Sequence, residues 1–287
     1  MTAQRFVTIA TTLTLLAVPA LAGAQAPDAP GPYLADRGPG LPTSMFGTFI
    51  QKGELIIYPF FEGYRDDDFE YKPEEFGAIG DVDYRGRYRA NEGLVMLSYG
   101  LTDNLAFEME FAGISATFDK APGDPSGVPA RIKESGLGDV EGQLRWRWNR
   151  ETTRRPEVFS YAEAVLPHHR QKMLIGTSDL ELKFGTGVIR GFPWGTVIAR
   201  AAVEYAAGSA SRFDAGEYAV EYVRRLGPRF RLYAGIEGTQ DEVSAIGELQ
   251  WHALKHVVIK ANSGFGLTSK ATDFAPEVGI LFSLPIK

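Results

Sequence analysis

The sequence predicts an all-β protein: a single antiparallel up-and-down transmembrane β-barrel of about twelve strands, preceded by an irregular N-terminal segment. Three observations predict this fold class. Apolar and polar residues alternate with the strand period of two from Lys52 almost to the C-terminus. The connections between these stretches are short and long in turn, as in outer-membrane barrels. The N-terminus has the features of a secretory signal peptide, which implies export.

Residues 1–24 are predicted to be the signal peptide. Arg5 supplies a positive charge, Phe6–Val18 contains no charged residue, and Ala22-Gly23-Ala24 supplies the small residues for cleavage after Ala24 or Ala22. The alternative is an N-terminal membrane anchor. The apolar run is short for a spanning helix and no basic stop-transfer sequence follows it, so cleavage is favoured.

Residues 25–50 form a lead-in before the predicted barrel, which we place at residues 51–287. Residues 25–43 are rich in proline and glycine, and this composition predicts an extended, irregular chain with no packing of its own. A plug in the periplasmic mouth of the barrel is the role we expect for the lead-in.

The clearest predicted strand contains Leu105–Phe111, in which Leu, Phe, Met and Phe alternate with Ala, Glu and Glu. One stretch is ambiguous, because Asn91-Glu92-Gly93 would also suit a turn that splits it in two. The same alternation places the twelve strands at about 53–64, 84–100, 104–118, 137–149, 157–167, 178–190, 194–206, 214–225, 229–238, 243–252, 256–265 and 276–285.

A soluble antiparallel sandwich with one wet face would also produce alternation. The aromatic residues argue against it, because a sandwich is expected to hold tryptophan in mid-strand. Here the large aromatic side chains lie beside the predicted short turns, where they would form a girdle at the periplasmic interface of the membrane. The predicted girdle consists of Tyr99, Trp148, Trp194 and Trp251.

Composition excludes several classes of function. The chain has 287 residues and a net charge of −6, and cleavage removes only Arg5, which leaves −7. An acidic protein offers no electrostatic basis for binding nucleic acid. The chain has no cysteine, so it has neither a disulfide framework nor a thiolate site.

The polar face of the predicted strands would line the barrel interior. Glu108 and Glu110 lie one hairpin from Arg145 and Arg147, so opposite charges are expected to pair across neighbouring strands. As a set these residues would form a selectivity lining, whereas any single one could be an ordinary ion pair without further function. The predicted lining consists of Glu108, Glu110, Glu141, Arg145, Arg147, Glu181, Lys183, Arg200, Glu204, Glu217, Glu221, Arg231, Glu248 and Lys260.

No catalytic residue, metal site or cofactor is predicted. His168-His169 falls in a predicted outer loop, and His252 and His256 flank a short turn without a nearby carboxylate, so no convergent ligand set is apparent. No serine lies two or three residues from a histidine on one strand face. Gly136-Leu137-Gly138 is not a dinucleotide loop, because no helix pattern follows it.

Four short motifs resemble one family: Lys52-Gly53-Glu54, Tyr99–Asn104, Gly136–Val140 and Gly176–Asp179. Together they resemble the outer-membrane transporter family associated with the meta-pathway of phenol degradation, over most of residues 45–287. The resemblance implies a small barrel that passes aromatic or other hydrophobic compounds. Two features depart from it: His168-His169 where Thr-Gly is usual, and a C-terminus that ends in Lys287 rather than in an aromatic residue.

We therefore expect a channel or transporter for small, hydrophobic or aromatic solutes in the outer membrane of a Gram-negative bacterium. Its expected partners are outer-membrane lipid, a small-molecule solute and the barrel-assembly machinery that inserts it. Two alternatives stay open. One is a barrel enzyme that hydrolyses or acylates lipids, and the other is a structural or adhesive barrel with a closed lumen.

Overall fold

The computed structural model describes residues 31–207 and 213–286. The predicted signal peptide at residues 1–24 lies outside the described residues. Two short strands, β1 (Leu41–Pro42) and β2 (Phe49–Ile50), pair with each other, and a 3-10 helix at Pro32–Leu34 precedes them.

Twelve further strands close into an antiparallel barrel, which confirms the predicted fold class and strand number. Each strand pairs with its neighbours in sequence, and the last strand pairs with the first, with Pro285 opposite Glu54. The strands are β3 (Glu54–Tyr71), β4 (Tyr84–Thr102), β5 (Leu105–Lys120), β6 (Arg131–Asn149), β7 (Glu157–Leu166), β8 (Glu181–Phe192), β9 (Gly195–Ala206), β10 (Phe213–Arg225), β11 (Phe230–Gly238), β12 (Val243–Leu254), β13 (Val257–Gly266) and β14 (Phe274–Pro285).

The four strands β3 to β6 are longer than the alternation alone predicts at one or both ends. β3 continues to Tyr71 and β6 begins at Arg131. Both extensions contribute to an aromatic cluster of buried Tyr71, Phe76 and Phe118, against which Ile132 packs. There the strands need no lipid-facing apolar side, so the period that marks a membrane strand is lost. The ambiguous stretch at 91–93 is continuous strand, because Asn91 pairs with both Gly63 and Ser115.

The two rims of the barrel carry connections of different length. Residues 103–104, 193–194 and 255–256 make short turns at the rim that holds the barrel's two chain ends. Residues 72–83, 121–130 and 167–180 make long connections at the other rim, with a shorter one at 239–242. Short turns mark the periplasmic rim of an outer-membrane barrel and long loops the extracellular rim.

The outer wall of the barrel is apolar. A soluble sandwich would bury Phe107, Leu144, Val203 and Ile280 in a dry centre, but all four are at least 39% exposed. A continuous exposed apolar band is stable only against lipid. The outward-facing apolar residues, each 37–57% exposed, are Phe61, Val95, Phe107, Phe111, Leu144, Phe184, Val188, Val203, Val220, Leu232, Ile236, Leu249, Phe265, Val278, Ile280 and Phe282.

Within residues 31–207 and 213–286, no helix is long and apolar enough to span a bilayer.

Candidate translocation lumen

Residues 31–50, here called the N-terminal segment, lie inside the barrel. Leu41 and Ile50 are each 2% exposed and pack against the inward-facing Tyr58, Met96 and Tyr161. No packing was predicted for residues 25–43, and the structure differs from that expectation over residues 31–43. The partners of the segment come from strands distant in sequence, so the segment's own residues carry no periodic signal.

A buried ion-pair network holds the start of the N-terminal segment. The Arg37 guanidinium lies 2.8 Å from the Glu157 carboxylate and 3.3 Å from the Glu151 carboxylate. Arg147 lies 3.0 Å from the other oxygen of Glu157, and all four side chains are almost fully buried. Each charge has an opposite partner, as burial in a low-dielectric interior requires.

Basic side chains from the barrel wall also bind backbone carbonyls of the segment. Arg147 donates to the Gly40 carbonyl at 2.5 Å, Arg231 to the Gly47 carbonyl at 3.1 Å, and Lys260 to the Phe46 carbonyl at 2.9 Å. These donors belong to β6, β11 and β13, on different sides of the barrel. Only a chain in the interior can reach all three strands.

The turn of the segment is shaped to its neighbours. Gly47 has a φ of 55°, a left-handed conformation that suits glycine, and a Cβ there would lie 2.7 Å from the Gln250 amide nitrogen. The Phe46 ring stacks on Tyr233 with the ring centroids 5.0 Å apart. Ser44 donates its hydroxyl to the Glu108 carboxylate at 2.6 Å.

Three adjoining cavities occupy the interior between the segment and the extracellular loops. The first is about 220 Å³ and the second about 290 Å³, and both are bordered by Ser44, Met45 and Phe46 of the segment. The third is about 500 Å³ and is bordered by residues 173–177 of the long connection at 167–180. Glu110 borders all three, so the cavities meet around this side chain.

The connection at 167–180 is folded into the barrel mouth by two carboxylates of β6. Asp139 accepts hydrogen bonds from the amides of His168 at 2.7 Å and Thr177 at 2.5 Å. Glu134 accepts from the amides of Met173 and Leu174 at 3.0 and 2.9 Å. Charged acceptors of this kind are the stronger hydrogen bonds in a protein, so they fix this connection over the third cavity.

A second extracellular connection is fixed by Asp124. Its carboxylate accepts hydrogen bonds from the Tyr71 hydroxyl and from the Ser126 amide, the latter at 2.7 Å. Burial raises the pKa of Asp124, but these hydrogen bonds outweigh burial and hold the pKa below its ordinary value. The ionised carboxylate therefore stabilises this connection.

The fourteen residues predicted to line the lumen fall into two groups. Six lie beside the N-terminal segment and are nearly buried: Glu108, Arg145, Arg147, Arg231, Glu248 and Lys260. Seven others border the three cavities or bind a residue that does: Glu110, Glu141, Glu181, Lys183, Arg200, Glu217 and Glu221. Glu204 borders a smaller cavity of about 180 Å³ beside Lys183 and Glu217.

The expected pairing of Glu108 and Glu110 with Arg145 and Arg147 holds only in part. Arg145 lies 3.5 Å from Glu108, but Arg147 pairs with Glu157. Glu110 stands directly opposite Glu141 on β6. Arg147 lies near the periplasmic rim, where its backbone amide donates a hydrogen bond to the Asn104 carbonyl. The strand register therefore keeps Arg147 away from Glu110.

The cavities hold carboxylates that the sequence analysis missed. Glu62, Glu92, Glu163, Glu237 and Glu277 all border them. Alternation with Tyr161 could have identified Glu163. Glu62 follows a stretch in which both faces of β3 are apolar, with Tyr58 and Phe60 buried inside. Because apolar and polar residues do not alternate there, the sequence does not indicate which face of β3 lines the lumen.

The predicted girdle residues lie near the short-turn rim. Trp148, Trp194 and Trp251 are 62%, 54% and 41% exposed, and Trp194 stacks on Phe192 with the centroids 4.7 Å apart. Tyr99 is half-buried on β4. Their role at the membrane interface remains a prediction.

Serine hydrolysis would need a serine beside a histidine, and a metal site would need convergent ligands. Within residues 31–207 and 213–286, no hydrogen bond joins a serine hydroxyl to a histidine ring. In the same residues, no three carboxylate or histidine side chains converge closely enough to hold a metal ion.

Comparison with known proteins supports the fold. No protein-family model and no curated sequence matches the chain. An outer-membrane channel from Pseudomonas putida F1 is similar in structure, with a TM-score of 0.59 and 15% identity, covering 82% of this chain and 97% of that one. The translocator domain of the autotransporter NalP from Neisseria meningitidis has a TM-score of 0.51 and 10% identity, covering 81% and 89%. At these identities the likeness shows the fold, and with the apolar outer wall it identifies the chain as an outer-membrane β-barrel.

Proposed function

We propose that this protein is an outer-membrane channel for small solutes, closed at its periplasmic end by the N-terminal segment. The observation that carries the proposal is the set of three neighbouring cavities inside a closed barrel, bordered by the segment below and by the connection at 167–180 above. The contacts between the segment and the barrel wall are noncovalent, so the segment can leave the lumen without breaking the wall.

The alternative of a structural barrel with a closed lumen fits the interior less well. Such a barrel would fill its interior with side chains, as small barrels do. Here the extracellular half contains cavities of about 220, 290 and 500 Å³. The barrel itself is therefore wide enough for solutes, and the N-terminal segment supplies the closure.

The third cavity supports small solutes that have an apolar or aromatic body. Leu94, Ile114, Val165, Leu174 and Ile175 line part of its wall. An apolar wall of this kind binds the body of a solute, while the neighbouring polar groups set its orientation. The resemblance of four sequence motifs to the transporter family of phenol degradation points to the same class. Contact with lipid and insertion by the barrel-assembly machinery belong to this proposal.

Liposome swelling tests the channel function directly. The mature chain and a variant lacking residues 31–50 would be reconstituted in equal amounts and exposed to small sugars and to amino acids of different charge. We expect slow swelling with the mature chain and fast swelling with the deletion variant. Heat-modifiable migration on a gel would verify that each barrel is folded. Swelling no faster than that of empty liposomes with both folded proteins would refute the proposal.

A further inference from the structure

The interior of the barrel is strongly acidic above the N-terminal segment. Among the described residues, the three cavities are bordered by twelve carboxylates and three basic side chains. All three bases are already paired: Arg145 with Glu108, Lys183 with Glu163 and Glu217, and Arg200 with Glu221 and Glu237. The second cavity has five carboxylates and no base.

The strand register places several of these carboxylates directly opposite one another. Glu110 on β5 faces Glu141 on β6, and Glu62 on β3 faces both Glu92 on β4 and Glu277 on β14. Like charges opposite each other on neighbouring strands are destabilising. Such a pair is relieved when a cation or a proton lies between the two groups.

Two of these carboxylates are available to a ligand. Glu110 and Glu141 both border the first and third cavities. Within the described part of the chain, neither makes a hydrogen bond or ion pair with another side chain. Both carboxyl groups are therefore free to bind a ligand that enters the cavities.

The wall of the first cavity also contains a buried hydroxyl. Tyr161 borders the first cavity together with Glu110 and Glu141, and it is only 1% exposed. Its hydroxyl has no hydrogen-bond partner in the described residues. A buried polar group without a partner costs free energy, and a phenol oxygen can accept a hydrogen bond from an ammonium group.

The geometry favours an organic cation over a metal ion. No group of three carboxylate or histidine side chains within residues 31–207 and 213–286 is close enough to ligate a metal. The third cavity has an apolar wall beside Glu110 and Glu141. This wall is formed by Leu94, Ile114 and Ile175. Its volume of about 500 Å³ lies within the range of small-molecule sites.

We infer that these cavities take small organic ammonium ions: an amine joined to an apolar or aromatic body, with the amine between Glu110 and Glu141 and the body against the apolar wall. This inference rests on the proposed channel function and names the class of solute.

Calorimetric titration of the detergent-solubilised mature chain tests the inference without depending on flux. Benzylammonium chloride and sodium benzoate present the same ring with opposite charge, and detergent alone corrects for partition into micelles. We expect benzylammonium to bind and benzoate not to bind. Replacing Glu110 and Glu141 together by Gln should weaken benzylammonium binding about tenfold, because two nearby charges are lost.

Two variants make the result specific. Glu74→Gln changes an exposed carboxylate in the extracellular connection at 72–83, so it should leave binding unchanged. Tyr161→Phe removes only the unpaired hydroxyl and should weaken binding to a smaller extent. Heat-modifiable migration on a gel would establish that each variant is folded.

Benzoate binding as tight as benzylammonium binding would overturn the inference, as would an unchanged affinity in the folded Glu110→Gln, Glu141→Gln double variant. Binding of calcium chloride without binding of benzylammonium would overturn it in favour of a metal site. Swelling by the deletion variant without benzylammonium binding would leave the channel function standing and refute only the solute class. Benzylammonium binding with no swelling in any form would refute the channel function instead.

Discussion

Arg37 offers the most direct test of the proposed closure of the barrel by the N-terminal segment. Its guanidinium contacts the carboxylates of Glu157 at 2.8 Å and Glu151 at 3.3 Å, with all three side chains at most 2% exposed. Arg37→Met keeps most of the side-chain volume and removes the charge. Glu151 and Glu157 would then be buried with too little compensating charge while the segment stays docked.

The expected effect can be worked out from this burial. Removing one partner of a buried ion pair costs about 3–5 kcal/mol. Glu157 keeps Arg147 at 3.0 Å, so the lower end of that range applies. Water reaches both carboxylates once the segment leaves, so the cost falls on the docked state and not on the barrel. About 3 kcal/mol corresponds to a shift of roughly a hundredfold from closed to open.

Single-channel recording in planar bilayers measures this shift as the fraction of time that the channel is open. Arg150→Met is the matched control, because Arg150 pairs with Asp103 at 3.2 Å on the same rim but both side chains are more than half exposed. Exposed pairs contribute about 0–1 kcal/mol. Changing Glu151 to Gln together with Arg37→Met should recover part of the closed state. An open fraction in Arg37→Met within twofold of the Arg150→Met value would refute the reasoning.

Three further predictions follow from the outer wall and the extracellular connections. Leu144→Arg, four residues from the rim tryptophan of β6, should destabilise the barrel in lipid, lowering its free energy of unfolding by about 2–4 kcal/mol. Val82→Arg in the connection at 72–83 should change this free energy little. Equal effects of the two variants in a urea titration would contradict the lipid-facing assignment. Asp139→Asn should accelerate hydrogen exchange across residues 167–180, because a charged acceptor of three hydrogen bonds is lost; unchanged protection would show that the carboxylate does not anchor this connection. Because the pKa of Asp124 is lowered in the folded chain, the contribution of its carboxylate to stability is fully present above the ordinary carboxyl pKa and is lost as pH falls through the lowered value. Hydrogen exchange, corrected for intrinsic rates, should show protection of residues 121–130 that disappears only in strong acid. The Asp124→Asn variant should lack this protection at every pH.

The barrel was predictable because lipid imposes one rule on every strand. Each membrane strand must place an apolar side chain outward at alternate positions, so the period of two marks the strand and its facing direction. Leu105–Phe111 shows this directly, and β5 begins at Leu105 as the alternation indicates. The rule weakens where both faces of a strand are apolar, as at Tyr58 and Phe60 of β3, and it ends above the membrane, where β6 starts six residues before its predicted beginning at residue 137.

The acidic cavities were only half predictable for a related reason. Alternation predicts that Glu110 and Glu141 face the inside of the barrel, but it does not predict which side chains lie beside them. Which inward residues meet depends on register between strands, and register is not encoded in any single strand. The spacing of the charges along the chain therefore predicted that Glu110 pairs with a base, whereas the register places Glu141 opposite it.

The N-terminal segment shows why a chain without any periodic signal can still have one defined position. Its residues supply mainly backbone carbonyls and a few charges, while the complementary donors Arg147, Arg231 and Lys260 stand on three separate strands. Those basic side chains are themselves buried. Arg147 and Lys260 also pair with the wall carboxylates Glu157 and Glu248, but further donors of all three bind the segment. A barrel that carries such donors inside needs acceptors to enter its lumen, so the closure is specified by the wall as much as by the segment, and changes in the wall donors should release the segment as effectively as changes in the segment itself.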